Sequence, residues 1–280
     1  MHLQKVTVTH IAEQIIDPCP SFSYFPGMKR VMLYLLLPLA MFMAGGRLHG
    51  QTDNTTDTAA QKEDFRDDWA DLRHYESVNK TLAVPASGEK RVVFLGSSIF
   101  ENWSMLEPSF WKNKSYVNRG ISGQISPQLL VRFKQDVINL KPAVVIILAG
   151  SNDISGSTGH VTNERILNNI GAMAELATAN RIRVIVCAYL PVFDYPWRKG
   201  IEPARKIIAL NKEIKKFVER NRLTLLDYFT PFADERNGQQ QALSLDGVHP
   251  NQAGYKAMAP VTEKAIRSAL QKPLPTSIRY

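Results

Sequence analysis

Ala143-Val144-Val145-Ile146-Ile147-Leu148-Ala149, followed by Gly150-Ser151-Asn152-Asp153, is the stretch that decides the fold. Seven apolar residues run without alternation, so a strand here must be buried on both faces. Such a strand lies inside a sheet covered by helices on each side, and Gly-Ser-Asn-Asp ends it as a turn.

Outward from this strand the pattern alternates. Upstream, Arg91-Val92-Val93-Phe94-Leu95 and Ser115-Tyr116-Val117 read as short strands. A helical segment is expected around 104–111. Another is expected from Ser126, as N-cap with Pro127 at the first position, to Leu140. Downstream, helices are expected over 161–179 (Ile166, Ile170, Met173 and Leu176 inward), 203–220 (Ile207, Leu210, Ile214 and Phe217) and 252–270. Between them Ile182–Ala188 and Leu223–Leu226 read as strands. Residues 62–80 show helical spacing at Phe65, Trp69, Leu72 and Tyr75, which predicts an outer helix. The fold class is α/β, with a parallel sheet of about five strands. Its active site should lie at the carboxyl ends of the strands.

Four short motifs stand at those ends or before a helix: Gly96-Ser97-Ser98, Asn118-Arg119-Gly120-Ile121-Ser122-Gly123, Gly150-Ser151-Asn152-Asp153 and Asp246-Gly247-Val248-His249-Pro250-Asn251. Each supplies a part that ester hydrolysis needs. Ser98 offers a hydroxyl nucleophile at the start of a helix-like segment, where N–H groups favour an oxyanion. The backbone N–H of Gly123 can approach a substrate closely. Asn152 can donate a hydrogen bond where a carboxylate could not. Asp246, three residues before His249, can reach Nδ1 and leave Nε2 to take the proton of Ser98. Singly, each motif is also an ordinary turn; the four in order are specific. Ser97 is a rival to Ser98 as the attacking serine.

These motifs resemble the SGNH hydrolases, also called the GDSL esterase/lipase family, over roughly residues 90–270. The match is most specific in Asp246-Gly247-Val248-His249-Pro250-Asn251-Gln252-Ala253-Gly254-Tyr255. The resemblance implies a three-layer α/β/α flavodoxin-like fold, no metal and no cofactor. It implies Ser98 as nucleophile, His249 as base and Asp246 as its carboxylate, with Ser98, Gly123 and Asn152 as oxyanion donors. The chain departs from the pattern at Ser97, where the family usually has Asp, and at Ile99, where it usually has Leu. By analogy, exported members look like carbohydrate O-deacetylases or small-acyl esterases. Tyr189, Tyr195, Trp197 and Arg198, in the loop after the fourth strand, are candidates for a substrate-binding wall, or for packing of that loop. Alternatives on the same fold are a catalytically weak carbohydrate-binding protein, and an acyltransferase, thioesterase or lysophospholipase-type lipase.

Composition sets outer bounds. The 280 residues suffice for one large domain, with 44% hydrophobic and 21% charged residues. Net charge is +8, and +6 beyond residue 50, with both signs interspersed. No basic and aromatic stripe suggests nucleic-acid binding. No His-x-x-x-His or paired-Cys motif suggests a metal. Lys29-Arg30 followed by the uncharged run Val31–Ala44 reads as a secretory signal over 28–50, cleaved before Gln51. A buried helix or uncleaved anchor is the alternative. Residues 1–27 precede a second Met at Met28 and read as an upstream start or an extension. Residues 51–61 read as a linker, 62–272 as the hydrolase domain and 273–280 as a flexible tail. The expected product is periplasmic or secreted, with no stable membrane anchor. Beyond the leader only Cys187 remains of the two cysteines, in an apolar strand, so it reads as a structural thiol.

Overall fold

In the computed structural model residues 68–280 are described, Thr158 and His160 excepted. The expected leader, signal segment and linker lie outside the described residues. Five strands, β1 (Val92–Gly96), β2 (Tyr116–Gly120), β3 (Val144–Ile147), β4 (Arg183–Ala188) and β5 (Thr224–Asp227), form one sheet in the order β2-β1-β3-β4-β5. All four pairings are parallel; Leu95, for example, lies opposite Arg119 on one side and Ile147 on the other. The central strands β1 and β3 are buried at every position. The edge strand β5 alternates buried and half-buried residues. Continuous apolar runs thus sit inside the sheet and mixed ones at its rims, as burial on one or both faces requires.

The helices are α1 (Glu76–Thr81), α2 (Ser98–Leu106), α3 (Ser126–Asp136), α4 (Ser151–Ser155), α5 (Asn163–Ala179), α6 (Pro203–Arg220) and α7 (Gln252–Gln271). Helices α3, α5 and α6 pack side by side, and α2 packs with α7; right-handed crossovers between parallel strands place the two groups on opposite faces. The result is a three-layer α/β/α domain. Under α2, Trp103 stacks on Phe110 with ring centroids 4.3 Å apart and on Tyr255 of α7 at 5.5 Å. Phe94 of β1 meets Phe100, Trp103 and Phe110 edge-on, the geometry that aromatic quadrupoles favour.

Several expected boundaries are corrected. Of the helix expected over 62–80, residues 62–67 lie outside the described residues; residues 68–75 form turns and Glu76–Thr81 is α-helical. The Asp68 carboxylate takes the N–H groups of Leu72 and Arg73, and Asp71 adopts φ 54°, which stops helical winding. The backbone carbonyls of Trp69, Ala70 and Leu72 instead accept from the amides of Gln128, Gln124 and Gln135. Trp69, expected to face inward, is exposed.

The helix expected near 104–111 begins earlier, at Ser98, and stops at Leu106. Pro108 starts a separate 3-10 turn through Trp111, since proline and the residue before it resist a continuing helix. Ser126 does not cap α3; its hydroxyl turns to Asp153, and Ile125 takes the cap position. The helix ends at Asp136, with a 3-10 turn over Ile138–Leu140. Leu176 is exposed, because the buried stripe of α5 runs through Ala174 and Ala177. In the tail, Arg279 and Asn221 exchange two hydrogen bonds of 2.6 and 2.9 Å. No helix among the described residues is long and apolar enough to cross a membrane.

Candidate active site

The site forms at the carboxyl ends of β1, β2 and β3, beside the loop leading into α7. Strand β1 delivers Ser97 and Ser98, and Ser98 is the first residue of α2. The first N–H groups of a helix have no partner within it, so the Ser98 N–H stands beside its own hydroxyl as a free donor. Ser98 Oγ lies 3.1 Å from Nε2 of His249. Nδ1 of His249 lies 2.8 Å from Oδ2 of Asp246. The other carboxylate oxygen of Asp246 accepts the backbone N–H groups of Val248 and His249 at 2.9 and 2.8 Å. One carboxylate therefore shapes the loop and orients the ring it carries. Burial works to raise the Asp246 pKa, but hydrogen bonds from the His249 ring and these two N–H groups outweigh it and hold the carboxyl at about 2.

The loop is braced from both ends. Ser244 Oγ accepts from Gly247 N–H and donates to the His249 carbonyl. Asn251 caps α7, its side chain accepting from Gly254 N–H at 2.9 Å. Asp246 and His249 are thus fixed at the mouth of a helix.

Two further candidate donors follow β2 and β3 at the same end of the sheet. Gly123 has φ 77°, a conformation that glycine adopts without strain, and the space a Cβ would fill there is open. Asn152, in the first turn of α4, donates one amide hydrogen to the Gln124 carbonyl at 3.0 Å. This bond ties its orientation to the loop that carries Gly123. The five residues expected from the sequence as catalytic or oxyanion groups thus stand at one end of the sheet. Of the two rival serines, Ser97 is buried and Ser98 meets the imidazole.

The expected binding wall is corrected in part. Tyr189 and Tyr195 are buried and cannot touch a ligand; the Tyr195 hydroxyl binds the carbonyl and hydroxyl of Ser151 at 2.9 and 2.8 Å. They fix the base of the loop, as their large apolar rings require. Burial raises the pKa of the Tyr189 phenol to about 12. Trp197 is exposed, and its ring centroid lies 6.1 Å from that of His249. Arg198 is exposed and donates to the Ser155 carbonyl.

The sequence did not reveal the layer beneath. Asp153 is fully buried and accepts the N–H and hydroxyl of Ser126, joining the turn that carries Asn152 to the start of α3. Burial raises its pKa, opposed by these bonds. Arg132 is also fully buried. It donates to the carbonyls of Gly96 and Arg119, the Gln124 side chain and Asp136, tying β1, β2 and the Gly123 loop together. Burial lowers its pKa, opposed chiefly by Asp136. A buried charge must be paired, so a polar residue at an apolar position of a helical stripe was the available signal.

Comparison with known proteins agrees with this geometry. Residues 94–257 match the GDSL-like Lipase/Acylhydrolase family. A solved protein from Bacteroides fragilis, described as an acylhydrolase, is 41% identical over 73% of this chain and 99% of its own, with a TM-score of 0.71. A GDSL-like lipase from Bacteroides thetaiotaomicron is also 41% identical, over 72% of this chain and 99% of its own, with a TM-score of 0.70. A variant of an acetyl-xylooligosaccharide esterase from Geobacillus shares the fold at 20% identity, over 66% of this chain and 96% of its own, with a TM-score of 0.51. Nothing among curated proteins matches the chain. On the family match and the two relatives, this chain belongs to the GDSL-like lipase/acylhydrolase family and is an ester hydrolase.

Proposed function

We propose that this protein is an exported serine acylhydrolase that removes a small acyl group, foremost acetyl, from a carbohydrate. The observation that carries the mechanism is the hydrogen-bonded chain Asp246–His249–Ser98. Ser98 Oγ attacks the ester carbonyl while Nε2 of His249 takes its proton. The carbonyl oxygen becomes an oxyanion, bound by the N–H groups of Ser98 and Gly123 and the second amide hydrogen of Asn152. Collapse breaks the bond to the sugar oxygen, which takes the proton back from His249. Water then attacks the acyl-Ser98 ester by the same steps, releasing the acid and restoring the hydroxyl.

The Trp197 ring beside His249 supports an alcohol portion that can lay a face of C–H groups on it, such as a sugar ring. Acetyl-xylooligosaccharide hydrolysis by the Geobacillus protein, on the same fold, supports acetyl as the first acyl group to try. Export rests on the sequence pattern at residues 28–50. The test incubates the purified protein with p-nitrophenyl acetate and a panel of acetylated glycans and measures released acetate. Wild-type turnover with none in Ser98→Ala is expected. Equal turnover in Ser98→Ala would remove the nucleophile assignment, and no acetate from any glycan would remove the substrate class.

A further inference from the structure

We propose that Glu101 is a positioning residue for the oxyanion site, acting through Ser122; this rests on the acylhydrolase reading above. Glu101 is the fourth residue of α2, one turn after Ser98. Its Oε2 accepts the backbone N–H of Ser122 at 2.8 Å and also the Ser122 hydroxyl. Ser122 immediately precedes Gly123. Two donors of one loop residue therefore close on a single carboxylate oxygen carried by the nucleophile's own helix. The other oxygen, Oε1, lies 3.9 Å from Nε2 of His74, whose Nδ1 is 3.1 Å from Asp71.

The contact requires β2 to abut α2, and the sequence arranges this. A Cβ on Gly120 would stand 2.4 Å from the Glu101 nitrogen and 2.7 Å from the Ser97 carbonyl oxygen, so only glycine fits there. Asn118 bridges the same elements, donating to the Phe100 carbonyl and the Ser104 hydroxyl. The loop leaves β2 beside the first turn of α2, which brings Ser122 to Glu101. Gly123 itself has an open, left-handed backbone that its own side chain cannot hold. Glu101 supplies the restraint from outside, locking the loop to the helix that carries the attacking oxygen. Donor and nucleophile then keep one spacing, which is what an oxyanion site demands. No contact of Glu101 with substrate is needed.

Restraint of a donor acts in the transition state, so it is read in kcat and not in KM. With the full chain and p-nitrophenyl acetate, Glu101→Ala should lower kcat about tenfold with KM within about twofold. Glu101→Gln, which keeps an oxygen for the Ser122 N–H, should recover most of the loss. A purely structural role would move thermal unfolding without this split and rescue. Unchanged kcat in Glu101→Ala, or equal damage in Glu101→Gln, would overturn the proposal. Should Glu101→Ala not fold, Ser122→Ala takes its place. It removes the hydroxyl contact but keeps the backbone N–H contact, so it is paired with Glu101→Asp, which draws the carboxylate back from both donors; a lower kcat at constant KM in Glu101→Asp supports the clasp, and wild-type kcat in both variants refutes it. If the wild type neither turns over ester nor labels at Ser98 with a fluorophosphonate, the acylhydrolase reading has failed. If it does both and the variants match it, only the clasp has failed.

Discussion

The Tyr255 hydroxyl donates a 2.9 Å hydrogen bond to the Ile99 carbonyl, joining the last helix to the first turn of the helix that begins at Ser98. Ser98 and His249 are 151 positions apart in the chain. Tyr255 lies six residues beyond His249, fully buried and stacked against Trp103. The imidazole loop and the serine are thus clamped by one phenol. Tyr255→Phe should cost about 1 kcal/mol of stability, as one buried hydrogen bond is lost. It should also lower kcat severalfold, because the two elements gain play. Urea unfolding and p-nitrophenyl acetate kinetics on the same preparation check both.

Asn152→Ala should lower kcat by about 10²–10³ while the fold survives, since one oxyanion donor disappears. The check is steady-state kinetics with circular dichroism as a control. Loss confined to KM would mean that the amide binds substrate without favouring the oxyanion.

Asp246→Asn should lower kcat by about 10³–10⁴, because an amide in place of the carboxylate favours the wrong imidazole tautomer. The carboxylate also has a pH signature. Its folded pKa is depressed from 3.8 to about 2. The stabilisation that this brings is complete above pH 3.8 and is lost as the pH falls through about 2. Carboxyl ¹³C shifts should titrate with a midpoint near 2 in the wild type. The midpoint should rise in His249→Ala, where the ring hydrogen bond is gone but the two backbone N–H groups remain.

Trp197→Ala should raise KM for acetylated oligosaccharides about tenfold and leave p-nitrophenyl acetate kinetics unchanged, as expected for an aromatic anchor on the sugar side. Parallel loss on both substrates would show that the ring supports the His249 loop instead.

Cys187 is buried in β4, and burial pushes its thiol well above the usual range. It should not react with a disulfide reagent such as DTNB in the native protein, and should react stoichiometrically in guanidinium chloride.

Local chemistry made the sheet and the site legible in the sequence. Val144–Ile147 announced itself because a strand buried on two faces has no room for a polar residue. His249 stood out because Asp246 lies within reach inside one tight loop. What stayed hidden depends on long-range partners. The turns at 68–75 look helical by spacing, but Asp68 and three glutamines from α3 and its preceding loop claim the backbone groups that a helix would use. Tyr189 and Tyr195 looked like a binding wall because spacing along a loop does not say which side chains turn inward. The roles of Arg132 and Asp153 stayed hidden because their partners are drawn from other elements.

The stretch before β1 has a practical consequence for anyone shortening this protein. The family match begins at residue 94, so a gene trimmed to that boundary looks complete on paper. It would delete the Trp69, Ala70 and Leu72 carbonyls, leaving the amides of Gln128, Gln124 and Gln135 unanswered. Gln124 is the residue whose own carbonyl aims Asn152. A fragment cut there would carry every residue of the motif block and still lose the footing of the donors proposed for the oxyanion.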